Sequence, residues 1–204
     1  MNGDGLLSGY LDEDEVLTEA RMQGAEFGCD PIDPVEGAAL RFLATSLRAK
    51  AVVEVGTGAG VSGLWLLRGM PADGVLTSID IEPEHLRAAR AAFREARYPT
   101  SRLRLINGMA LDVLPRLADG VYDLVFVDAV LVEYPMYLRE AVRLLRPGGV
   151  LALSGMLDPD DGPLFGPETH AVREVLRVCQ EDDALVALPM PLGDGLLVAA
   201  KALV

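Results

Sequence analysis

The sequence predicts an α/β fold: a central, mostly parallel seven-stranded sheet with helices on both faces and a C-terminal antiparallel hairpin. Three observations carry this. Short apolar, β-branched runs alternate with helical patterns, the rhythm of βαβ units in a sheet buried on both sides. The first run passes straight into a glycine-rich turn, "VVEVGTGAGVSGLW" at 52–65. Near the end the rhythm changes, and two strand-like runs are joined only by "PLGD" at 191–194, a connection that suits neighbouring antiparallel strands.

The elements follow in order. Residues 11 to about 27 read as an acidic amphipathic helix that "CDPID" (29–33) breaks. Asp33 then caps a second helix, with Pro34 at its first position, that runs to about Ala49. Strands are expected at 51–55, 74–80, 102–107, 122–128 and 148–154, with helices at 61–70, 83–96, about 110–118 and 134–146. After Ser154, "GMLDPDDGPLFGP" (155–167) reads as a variable loop on the substrate side. A helix from about Glu168 to Gln180 and the strands "ALVALPM" (184–190) and "GLLVAAKAL" (195–203) complete the chain. With no repeat and no linker, residues 1–204 are expected to form one domain, residues 1–30 being a helical extension of it.

Half the residues are apolar, so the chain folds around a core rather than staying disordered. A net charge of −13 repels phosphate backbones and anionic lipid, so neither nucleic acid nor membrane is expected as a partner. Cys29 and Cys179 are too few for a disulfide framework or a zinc site. The opening "MNGDGLLSGYLDEDE" lacks a basic, then apolar, leader, and no apolar run approaches about 18 residues. A cytoplasmic setting is therefore expected.

Gly56, Gly58 and Gly60 let the backbone turn tightly and let a ligand lie against it. The dinucleotide fingerprint would need a further glycine where Val61 stands. Glu54, two residues before the first glycine, would repel a pyrophosphate yet can hold an ammonium. S-adenosylmethionine carries an ammonium and a sulfonium and no phosphate, so the electrostatics favour it over NAD; a solvated acid at a strand end is the alternative. Asp80 lies 24 residues beyond Gly56, the spacing of a carboxylate that accepts ribose hydroxyls, or else it caps the next helix.

Together "VVEVGTGAGVSGLWL", "GVLTSIDIEPEHLRAAR", "YDLVFVDAV", "YPMYLREAVRLLRPGGVL" and "PLGDGLLVAAK" resemble the bacterial O-methyltransferases related to catechol O-methyltransferase, over roughly residues 25 to 201. The resemblance implies a Rossmann-like class I methyltransferase with the final strand inserted antiparallel. It implies methylation of a hydroxyl on a small-molecule acceptor, and a homodimer. The N-terminal helix, with Leu11, Val16 and Leu17, would contribute to the dimer contact or pack on its own chain. Carried over by position, Ile32 would lie over the methionine end, and Glu54, Gly56, Thr57 and Gly58 would line the loop. Ser62 would bond the cofactor carboxylate, Asp80 the ribose, and Ala110 the adenine, while Asp128 would sit near the reactive methyl. Met109 replaces the aspartate of the family's usual Gly-Asp-Ala.

The resemblance fails at the metal. Many relatives hold a divalent cation through an aspartate after the fourth strand and an Asp-Asn pair after the fifth, with a lysine base three residues beyond the first. Asp128 is retained, but Leu131 takes the lysine position and Ser154-Gly155 the pair. One carboxylate and one hydroxyl suit Mg²⁺ poorly, so no metal is expected. A phenol of pKa about 10 is only about 0.1% ionised at neutral pH, a cost of about 4 kcal/mol that metal and lysine would offset. In-line approximation alone can supply roughly 7–11 kcal/mol. His170 is the candidate base, with Glu133 and Tyr134 as alternatives, while His85 reads as a surface helix residue. Asp158, Asp160 and Asp161 could make a new cation site or face a cationic substrate, or simply be solvated. The resulting expectation is a metal-free O-methyltransferase. Its rivals are a non-catalytic binder of S-adenosylmethionine or S-adenosylhomocysteine and, against Glu54 and Val61, an NAD(P)-dependent oxidoreductase.

Overall fold

A computed structural model describes residues 11–156 and 166–203. The aspartates at 158, 160 and 161 and the first ten residues lie outside the described part. The helices are α1 (Glu15–Glu26), α2 (Pro34–Leu47), α3 (Val61–Gly69), α4 (Pro83–Glu95), α5 (Ala110–Val113), α6 (Tyr134–Leu144) and α7 (Pro167–Glu181). The strands are β1 (Ala51–Val55), β2 (Val75–Asp80), β3 (Leu103–Asn107), β4 (Tyr122–Val127), β5 (Leu145–Leu153), β6 (Leu185–Met190) and β7 (Leu196–Lys201).

The sheet runs β3-β2-β1-β4-β5-β7-β6. The first five strands are parallel, and β7 enters antiparallel between β5 and β6. Strand residues alternate between two cores because side chains alternate across a strand. Val52, Leu76, Leu124 and Phe126 face α1–α4, and Val53, Val55, Ile79, Val125 and Val127 face α6 and α7. Order reverses at β1, whose neighbours are β2 and β4, and a crevice opens beyond the carboxyl ends of these strands, as it does at such switch points.

Two helices start where their caps dictate. Asp14 accepts from Leu17 N at 3.0 Å, and Asp33 accepts from Glu36 N at 2.7 Å ahead of Pro34. The first helix thus begins at Glu15 rather than 11. Its apolar face is spent on its own chain: Leu17 and Ala20 are buried, and Arg68 ties down Asp14. The helix expected at about 110–118 is shorter, giving way to a 3₁₀ turn at Leu114–Arg116, since Pro115 has no N–H to continue the ladder. Likewise α6 stops at Leu144 and β5 starts at Leu145, earlier than expected, because the residue before Pro147 favours extended backbone. No helix among the described residues is long and apolar enough to cross a membrane.

Candidate functional site

The crevice is a cavity of about 560 Å³. Ile32, Gly56, Thr57, Gly58, Ser62, Asp80, Ala110 and Asp128 all line it, so eight of the sequence-derived positions converge. Gly56 has φ +91°, and a Cβ there would stand 1.8 Å from the Asp128 carbonyl oxygen. Only glycine lets the loop press against the end of β4 in this way. The contact is held by Asp128 N donating to Val55 O and Gly56 N to Ile79 O, both at 2.9 Å.

Glu54 is placed differently from expectation and does not line the cavity. It shares the face of Val52, beneath α3, and is fully buried. Its Oε1 accepts from Ser62 Oγ at 2.7 Å, and its Oε2 accepts from Ser78 Oγ. Burial pushes its carboxyl up to about 7, against the pull of the two hydroxyls. Glu54 thus supports the loop from below, through Ser62 and Ser78. Ser62 lines the cavity while its hydroxyl donates to Glu54.

Asp80 ends β2 with its side chain 8% exposed. Its Oδ2 accepts from Gly58 N and its Oδ1 from Glu82 N, both at 2.9 Å. His85 departs from the surface position expected of it: its ring lines the cavity, with Nδ1 3.1 Å from Asp80 Oδ1 and Nε2 3.3 Å from Cys29 Sγ. The sequence carried a signal for this. His85 sits in the first turn of a helix that starts just after β2, and helical side chains lean back toward the N-terminus.

Burial pushes the Asp128 carboxyl up to about 6, with Asp30 and Asp194 adding to the effect. Leu131 and Gly155, at the former lysine and ligand positions, lie against each other: Leu131 Cδ2 is 3.5 Å from where a Cβ on Gly155 would be. Ser154 is buried beside Glu36, whose carboxyl burial lifts to about 7 although the Ser154 hydroxyl draws it down in part. Glu36 Oε1 has no hydrogen-bond partner among the described residues. Nor do these residues place three His, Cys, Asp or Glu side chains to hold a metal ion. One carboxylate with Ser154 and Gly155 does not fit the family's cation.

The candidate bases separate. His170 is exposed on α7 and does not line the cavity. Tyr134 is structural, donating to Ser154 O at 3.0 Å and accepting from Ala129 N at 3.3 Å. Glu133 does line the cavity and accepts from the Tyr137 hydroxyl, a neighbour that sequence reasoning missed.

A family model described as O-methyltransferase matches residues 8–202. A relative from Mycobacterium sp. (strain JLS), provisionally named an O-methyltransferase, is 52% identical over 196 residues, covering 94% of this chain and 88% of its own. A crystal structure of a Corynebacterium glutamicum protein superposes with a TM-score of 0.90 at 34% identity, over 100% of this chain and 99% of that one. The O-methyltransferase TomG from Streptomyces achromogenes, involved in tomaymycin synthesis and solved in complex with S-adenosylmethionine, reaches a TM-score of 0.86 at 28% identity, over 97% and 94%. The loop, the cavity beyond the strand ends and these likenesses agree: the chain belongs to the O-methyltransferase family.

Proposed function

We propose that this enzyme methylates a hydroxyl of a small molecule with S-adenosylmethionine and does so without a bound metal. The observation that carries the reading is the convergence of the glycine loop, Asp80 and Asp128 on one cavity, while Leu131 and Gly155, at the family's base and ligand positions, pack against each other instead. S-adenosylmethionine, when bound, supplies a methyl group already activated by its sulfonium. The chain orients the reactants. Asp80 takes a ribose hydroxyl, Ile32, Gly56, Thr57 and Gly58 shape the amino-acid end, and Ala110 packs against the base. Asp128 sets negative charge beside the reacting atoms. A neutral hydroxyl becomes strongly acidic only as its new O–C bond forms, so Asp128, lifted to about 6, suffices to take the proton at that point.

S-adenosylhomocysteine at about 100 times its Kd should stabilise the protein by about 2.7 kcal/mol, seen as a rise in melting temperature that NAD and NADP do not give. Turnover against a panel of hydroxylated acceptors should survive EDTA and fall in Asp128→Asn. Stabilisation by NAD would overturn the cofactor, and Mg²⁺-dependent turnover abolished by EDTA would overturn the metal-free step. Binding with no turnover on any acceptor would leave a non-catalytic binder. The homodimer belongs to the same proposal, and a monomer by light scattering at micromolar concentration would remove it.

A further inference from the structure

A carboxylate offers about four lone-pair positions. On Asp80, Gly58 N occupies one on Oδ2, and Glu82 N and His85 Nδ1 occupy those on Oδ1. One position, on Oδ2, is left for a ligand. His85 is itself held from both sides, by Asp80 and by Cys29 Sγ at 3.3 Å, and the Phe27 ring lies 6.5 Å from it. The arrangement is satisfied when Nδ1 carries the ring hydrogen toward Asp80 and Nε2 accepts from the thiol. Burial and the charge of Asp80 push the Cys29 thiol up, which keeps that S–H in place. Asp80, His85 and Cys29 all line the cavity, and Cys29 belongs to the segment 28–32 that forms part of its wall.

We propose that His85 is a positioning residue of the cofactor site: it fixes the Asp80 carboxylate so that Oδ2 meets a ribose hydroxyl, and through Cys29 it ties the 28–32 segment to that carboxylate. This rests on the reading of Asp80 as the ribose acceptor. The chemistry selects a cofactor that keeps the one ribose hydroxyl facing Oδ2. Without His85 the carboxylate keeps only its two backbone donors and can rotate away from the hydroxyl, so what is lost is recognition of that hydroxyl rather than general affinity.

The test is calorimetric titration of S-adenosylhomocysteine and its 2′-deoxy and 3′-deoxy analogues into the wild type, His85→Phe, His85→Asn, Cys29→Ser and Cys29→Ala. The wild type should bind one deoxy analogue at least about tenfold more weakly than the parent, the loss expected for a hydrogen bond to a charged group. His85→Phe should weaken the parent by a similar factor yet barely change that analogue, so the discrimination collapses. His85→Asn, whose amide N–H can stand in for Nδ1–H, should restore most of it, and Cys29→Ala carries the test if the phenylalanine variant does not fold. Cys29→Ser should keep the discrimination and Cys29→Ala should reduce it. An unchanged Kd in His85→Phe and Cys29→Ala, or equal losses for parent and analogue, would overturn the proposal. A wild type that ignores both deoxy substitutions would instead remove the ribose role of Asp80, and the inference with it.

Discussion

Glu36 shows what one buried acid does to the whole pH profile. It is 1% exposed, with one oxygen unpartnered among the described residues, and burial lifts its carboxyl from 4.5 to about 7. Between those values the folded chain holds a proton that the unfolded chain has released. Stability should therefore fall as pH rises through that window and level off above it. Glu54, raised in the same direction, adds to the slope. Glu36→Gln keeps the shape and cannot ionise, so it should raise the melting temperature at about pH 8 and flatten the decline from about pH 5, by on the order of 3 kcal/mol at most. A slope identical to that of the wild type would show that Glu36 ionises freely in the fold. At this scale the sequence was partly legible. Asp80 and Asp128 were found because they sit at strand ends with the right spacing. Glu54 was read from its chemistry alone, although its alternation with Val53 and Val55 already put it on the other face of the sheet. His85 was missed because its exposed neighbours masked the turn geometry that swings it inward.

The packing of α2 on α3 depends on a position where the helix carries no side chain. A Cβ on Gly37 would stand 2.3 Å from Trp65 Nε1, and the indole is only 4% exposed. Gly37→Ala should cost about 1–3 kcal/mol in denaturant unfolding, as overpacking does, even though alanine is the better helix former. A neutral or stabilising result would mean that the indole shifts freely. Element boundaries were legible where local chemistry sets them: Asp33-Pro34 announces α2 in one dipeptide. They were overextended where a proline acts at a distance, as Pro115 and Pro147 do on the helices before them. The capping pair at Asp14 was passed over because acidic residues crowd both sides of it.

The strand order of the whole sheet is not written in any one segment. Alternation gives seven strands and two covered faces, but the placing of β7 between β5 and β6 came from resemblance, because pairing across some 45 residues leaves no local trace. The position of β7 has a consequence in time. The final strand of a chain ordinarily frays, and its amides exchange with solvent within seconds. Here Leu196–Lys201 has partners on both sides while β3 and β6 form the rims. In deuterated water the β7 amides should be among the last to exchange, opening only when the entire sheet does. A peptide from this stretch would then work as a clock for global unfolding, read by mass spectrometry, with β6 beside it exchanging far sooner.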